Sequence, residues 1–409
     1  MPRKRIKFFM LIFLGIFVFF ISADYNYINI EKTALIVSIG VDKKDDLYSV
    51  TTQIAIPHAS ADTAQNSESI ITGEGDTIYS AISQIGEQTG WYPKLSFCNL
   101  IVLGESVLDG DVMSVVDFFV RSYKVEDSAI LCACEGSAKD LLSSTSPLDN
   151  VSGFALSKIF VRDFNTASRV MTTTIKNFSI GYFSKSKSNF MPLVKIKKLD
   201  DKVSSADNGL SGSSGESGSG SSSGGSSGGG DKKQNSSVIY DASSTLLFYQ
   251  GKKVGELDGE LSLFFSLLFK SVNEASFSIE SHDHDGKLGT FLISVTKATH
   301  RRKLTFVDNK PVFTIYLDLW LKVSDTNLSQ SINEVSNLGK LNDETLYKAQ
   351  TYTQDKINEI FKIIKESNSD VFEYVNLLYK YYPYKYDEHR LSIKDDITHQ
   401  IFIKCMNAH

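Results

Sequence analysis

The sequence predicts a multidomain protein of mixed class: an N-terminal α/β module and a C-terminal α+β module built of an antiparallel sheet plus helices. Three observations predict it. Strand-like and helix-like runs alternate between residues 33 and 142. A tract of almost pure Ser and Gly, residues 203–230, interrupts the chain near its middle. Period-two apolar runs then lead into two helical patterns near the end. The resulting division is a leader (1–23), a first module (24–200), a Ser/Gly-rich segment (201–236) and a second module (237–409).

The leader is MPRKRIKFFMLIFLGIFVFFISA. Arg3, Lys4, Arg5 and Lys7 form a cationic head, and residues 8–23 carry no charge. A cationic head before an apolar run is the pattern of an export signal, and cationic flanks resist crossing a bilayer. As a helix the apolar run spans about 24 Å, short against a hydrocarbon core of about 30 Å. Ile21, Ser22 and Ala23 suit a signal peptidase, while the Phe, Leu and Ile content suits an uncleaved anchor. Both readings place the remaining chain outside the cytoplasm. Leu261 to Lys270 is also apolar but too short to span, and reads as a buried helix or strand.

Each element has its own signal. Residues 33–42 (TALIVSIGVD) and 48–56 (YSVTTQIAI) flank a charged turn and read as a hairpin. Gly73 to Asp76 reads as a turn, and Asp76 or Thr77 caps a helix reaching Thr89, with Ile78, Ala81, Ile82 and Ile85 on one face. Residues 97–103 read as a strand. Residues 109–121 read as a helix facing inward with Val112, Val115, Val116 and Phe119. A strand at 129–133 and a short helix at 137–142 follow. Residues 151–183 read as mostly helical, and 190–198 as a strand that Pro192 places at a sheet edge. The Ser/Gly tract buries too little apolar surface to offset its ordering entropy and reads as a flexible linker.

Beyond it, strands are expected at 238–240 and 244–249, before a polar turn over 250–253, and at 276–280, 289–296, 302–306 and 312–323. Residues 342–367 form the longest helical pattern, with Leu346, Ala349, Ile357, Ile360, Phe361 and Ile364 inward. A second helix, 372–381, is stopped before Pro383, and 391–405 returns as a strand.

Chemistry is sparse. The formal net charge is −5, and without the cationic head the remainder is more acidic still, which argues against a nucleic-acid binder. Cys98, Cys132, Cys134 and Cys405 are too few for a disulfide scaffold. Cys132 and Cys134 share one face of a strand, as small buried thiols or as a metal or redox pair. His282-Asp283-His284-Asp285 offers alternating zinc donors, but Asp285-Gly286 between two strands is how a hairpin turn looks. His300-Arg301-Arg302-Lys303 reads as a solvated strand end or a contact for anionic lipid. The sequence contains no nucleophile elbow, phosphate loop, Cys-x-x-Cys or HExxH. Catalytic, cofactor-binding and metal-ligating residues are therefore assigned to none, and no cofactor is expected.

Several short stretches, in order, resemble one family. They are 34–43 (ALIVSIGVDK), 50–57 (VTTQIAIP), 75–82 (GDTIYSAI), 100–105 (LIVLGE), 116–121 (VDFFVR), 137–147, 254–258 (VGELD) and Ala349-Gln350. Together they resemble the Ger(x)C family, the C subunits of bacterial spore nutrient-germinant receptors. The resemblance implies three small α/β domains and a non-enzymatic subunit at the outer face of the spore inner membrane, beside integral A and B subunits. It implies no germinant-binding residue. Family members usually carry an acylated Cys followed by Trp-Asp; here Asp24 stands at that Cys position, before Tyr25 and Asn26. Without that thiol the expectation is anchoring by the apolar helix, or cleavage after Ala23. An exported hydrolase and a solute-binding lipoprotein-like protein are the alternatives. Mass spectrometry of the native N-terminus checks the lipid expectation: an unacylated Met1 or Asp24 is predicted, and an acylated residue contradicts it.

Overall fold

A computed structural model describes residues 10, 12–17, 33–55, 68–121, 125–147, 149, 151–161, 169–198, 238–270, 272, 274–282, 286–328 and 339–408. Of the leader, residues 12–17 are helical, and Ala23 and Asp24 lie outside the described residues, as does the Ser/Gly tract. Among the described residues no helix is long and apolar enough to cross a membrane.

The first sheet is mixed, in the order β10-β9-β8-β6-β5-β1-β2-β3. Its strands are β1 (Thr33–Lys44), β2 (Leu47–Ala55), β3 (Glu68–Gly75), β5 (Leu100–Leu103), β6 (Ile130–Cys134), β8 (Ser188–Lys198), β9 (Val238–Tyr249) and β10 (Lys252–Leu257). The short strands β4 (Tyr92–Lys94) and β7 (Thr173–Thr174) pair with β1 and β6. Strands β1, β5, β6 and β8 run parallel, with antiparallel strands outside them. Parallel strands need both faces covered. In β5, Ile101 and Leu103 enter one core and Leu100 and Val102 the other. Helices α1 (Ile78–Thr89), α3 (Met113–Arg121) and α6 (Ile175–Phe183) cover the first face. Helices α4 (Ala138–Ser143) and α5 (Ser152–Val161) cover the second, and the one-turn α2 (Glu105–Leu108) follows β5.

Polar clamps fix these helices. The Asp42 carboxylate at the end of β1 accepts from the N–H groups of Ala138 (2.9 Å) and Lys139 (3.0 Å), the first turn of α4. An acceptor there also meets the positive end of the helix dipole. Gly104 makes room for it: a Cβ at that position would lie 1.8 Å from Asp42 Oδ1. On the same face, buried Gln53 holds α5 by accepting from Gly153 N–H (2.9 Å) and donating to Ser152 Oγ (3.2 Å).

The second sheet has the order β11-β12-β13-β14: β11 (Ala275–His282), β12 (Leu288–Val307), β13 (Lys310–Thr326) and β14 (Thr398–Asn407). Helices α7 (Gly259–Phe269) and α8 (Asp343–Glu366) share its core. Asp258 caps α7 and Asn342 caps α8. Helices α9 (Tyr374–Tyr381), α10 (Pro383–His389) and α11 (Ile393–Asp396) complete the chain before β14.

Several expectations need correction. β8 is not an edge strand, because β9 pairs along its length. Pro192 is tolerated because β6 meets β8 only at Leu193 and Val194, just past it. The strands at 289–296 and 302–306 are one continuous β12. The polar turn after β9 is only Gln250 and Gly251, both at positive φ as a type I′ turn requires, so Lys252 and Lys253 begin β10. Pro383 opens α10 at its first position, where a missing N–H costs nothing. Sheet membership also does not change at the Ser/Gly tract: β9 and β10, which follow it, complete the first sheet.

The two sheets meet at Asp370. Its N–H donates to Ser188 Oγ on β8 (2.8 Å), and its carboxylate accepts from the N–H groups of Tyr374 (2.7 Å) and Val375 (3.0 Å). Burial pushes this carboxyl up to about 6 despite those donors. A raised carboxyl binds its proton more tightly when folded, so its effect on stability weakens the fold as pH rises from about 4 to about 6. Two units correspond to about 3 kcal/mol. Nearby His399, held down to about 4 by burial, titrates with the opposite sign. Denaturant unfolding of wild type against Asp370→Asn isolates Asp370. Wild-type stability is expected to fall by about 3 kcal/mol relative to the variant over that interval, and parallel curves would contradict it.

Candidate functional site

The first module carries an open aromatic groove between α1 and α3. Thr77 starts α1 by accepting from Ser80 N–H (3.1 Å), while Ser80 Oγ accepts from Thr77 N–H (3.0 Å), a reciprocal capping box. Ile78, Ala81, Ile82 and Ile85 then pack on the sheet. Gly90, left-handed at φ 71°, ends the helix. The chain turns there into Trp91 and β4, whose Tyr92 pairs with Thr33 at the start of β1. On the facing helix, Asp111 accepts from Met113 N–H (2.9 Å), and Val115, Val116 and Phe119 point inward.

What the inward faces leave over lines the groove, whose volume is about 1210 Å³. Tyr48, Tyr79, Trp91, Tyr92 and Phe118 supply aromatic surface, and Ile82, Pro93 and Leu95 supply aliphatic surface. Tyr79 is 68% and Trp91 49% exposed, high for side chains of this size. Asp76, Glu87 and Asp117 make the lining acidic, with Arg121 ion-paired to Asp117 at 2.8 Å. The volume exceeds the usual range for a small-molecule site, about 300–1,000 Å³. Exposed aromatic anchors beside acidic groups suit a protein segment carrying apolar and cationic side chains. Among the lining residues no Ser stands beside a His or Lys that would activate it.

The residues singled out in the sequence lie elsewhere. Cys132 and Cys134 are buried in β6, free, with thiols raised by burial, and Cys98 is pushed up to about 12. They read as core residues. His282 ends β11, and its Nδ1 lies 2.8 Å from Glu344 Oε1 in the first turn of α8; Asp283, His284 and Asp285 lie outside the described residues. No group of three or more metal-ligating side chains occurs among the described residues. His300-Arg301-Arg302-Lys303 is not a strand end but the middle of β12. The register sets His300 and Arg302 opposite buried Leu317 and Ile315, on the core face, with Arg302 4.7 Å over the Phe269 ring. Arg301 and Lys303 take the outer face. The groove is not among the sites that the sequence singles out. Its signal was Tyr79 off the apolar face of α1, followed by Trp91-Tyr92 directly after a helix-ending glycine.

The spore germination protein N-terminal domain family matches residues 26–196, and the spore germination B3/GerAC-like C-terminal family matches residues 243–400. These two matches span most of the chain, which belongs to the spore germination Ger(x)C family. A solved structure titled "Crystal Structure of the GerBC protein" aligns with 90% of this chain and 97% of that chain, at 15% identity and a TM-score of 0.49. A search of curated proteins returned no match.

Proposed function

We propose that the chain is the non-enzymatic C subunit of a spore nutrient-germinant receptor. In this reading it is extracytoplasmic and membrane-associated, at the outer face of the spore inner membrane. It assembles with integral A and B subunits and helps convert nutrient binding into germination. The observation that carries the reading is the pair of family matches, N-terminal then C-terminal, on either side of the Ser/Gly tract. The aromatic groove supports it by offering an assembly surface on the module that follows the leader. The cationic head and apolar run support tethering.

Deleting the gene and complementing it with Tyr79→Ala/Trp91→Ala tests this. Truncating a central aromatic anchor weakens an interface by about tenfold or more. The variant subunit is therefore expected at normal levels in spores, with at least about tenfold less A- and B-like membrane protein co-purified and with nutrient germination lost. Normal nutrient germination of the deletion strain contradicts the proposal.

A further inference from the structure

The second sheet packs one face on α7 and α8, and its other face combines cations with aromatic rings. The register sets Lys297 opposite Trp320, Arg301 opposite Tyr316 and Lys303 opposite Thr314. On the far side it sets Phe402 beside Tyr316 and Lys404 beside Asp318. Lys322 continues the same row of β13. The Lys297 ammonium stands 4.9 Å over the Trp320 ring, and the Arg301 guanidinium 5.5 Å over Tyr316. Tyr316 stacks on Phe402, with centroids 5.2 Å apart and 14° between planes, and both rings are exposed, at 41% and 54%.

All five cations are exposed, and among the described residues none is held in an ion pair. Asp318 is the acid among them, and Glu280 and Asp325 lie towards the β11 side. A chain of net charge −5 thus gathers positive charge on one broad strand surface. Tryptophan and tyrosine sit at the headgroup level of bilayers, where each basic residue adds attraction to anionic lipid. The partner complementary to a broad cationic, aromatic surface is itself broad and anionic.

We propose that this face rests on an anionic phospholipid bilayer, with Lys297, Arg301, Lys303 and Lys404 against lipid phosphates and Trp320, Tyr316 and Phe402 among the headgroups. The inference rests on the membrane-tethered reading above only for the presence of a bilayer nearby.

The chain has two tryptophans, so Trp91→Phe leaves Trp320 as the sole tryptophan, which excitation beyond the tyrosine band reads selectively. The full chain carrying that change is reconstituted with phosphatidylcholine bilayers, with or without phosphatidylglycerol, containing lipid brominated near the headgroup end of its chains. Trp320 is expected to be quenched in the phosphatidylglycerol bilayers and not in phosphatidylcholine alone, and salt is expected to reverse the quenching. Removing a cation weakens attachment of the face about fivefold, so Lys297→Gln/Arg301→Gln/Lys404→Gln weakens it about a hundredfold and abolishes quenching. Lys404→Gln alone, with an unchanged circular dichroism spectrum, gives about the fivefold step and guards against misfolding. Equal quenching in both bilayers, none in either, or quenching indifferent to the substitutions overturns the proposal. So does binding of an acidic peptide or single-stranded oligonucleotide to this face without quenching by anionic lipid. Normal germination of the deletion strain with Trp320 still quenched would remove the receptor reading and leave this one standing.

Discussion

The antiparallel ladder between β8 and β9 is what the rest of the structure hangs on. It runs from Ser188↔Tyr249 to Lys198↔Val238, one strand on each side of the Ser/Gly tract. β9 in turn pairs with β10, and Leu247 and Leu257 of these strands enter the core of the second sheet. Phe190 of β8 meets Phe265 and Phe269 of α7 edge-on, at 5.6 and 5.7 Å. Hydrogen bonds from the C-terminal segment tie to β9 and to the turn leading into β8: Ser369 Oγ–H to Phe248 O, and Asn376 N–H to Ser186 Oγ. Three links of different chemistry therefore join the halves at one seam, so separating them would expose apolar core as well as strand edges.

This seam gives the two surfaces their arrangement. The groove lies on helices covering the first sheet, and the cationic face lies on the side of the second sheet away from its helices. Among the described residues neither holds a paired nucleophile and base, and two fully buried polar side chains, Gln53 and Asp370, are engaged in holding elements together. Both surfaces present groups suited to contact: aromatic side chains beside acidic residues in the groove, and exposed cations beside aromatic rings on the sheet face.

Much of the fold was legible because local signals agreed. α1 shows one apolar face and a capping residue, and its buried side chains are those the spacing selects. α7 was ambiguous between helix and strand because Leu263, Phe264, Phe265, Leu267 and Leu268 are all buried, which leaves no polar face to reveal a period. β3 is hidden in the sequence because Gly73 and Gly75 read as a turn. They are there for close approach: a Cβ on Gly73 would lie 2.1 Å from Ala81 O on α1. The charged middle of β12 resembles a strand end, so the sequence reads as two strands there; the alternation that buries Leu304 beyond it is visible only with its partner in place. The surfaces were least legible, since both are assembled from residues far apart in sequence.

The claim that the halves form one body through the β8–β9 ladder can be tested by cutting the chain. A specific protease site placed within residues 207–230, cleaved in the folded protein, gives two fragments. The ladder predicts that they co-elute under native conditions and separate only in denaturant, with β9 and β10 still protected from amide exchange. Fragments that part without denaturant, each retaining its own sheet, would contradict it.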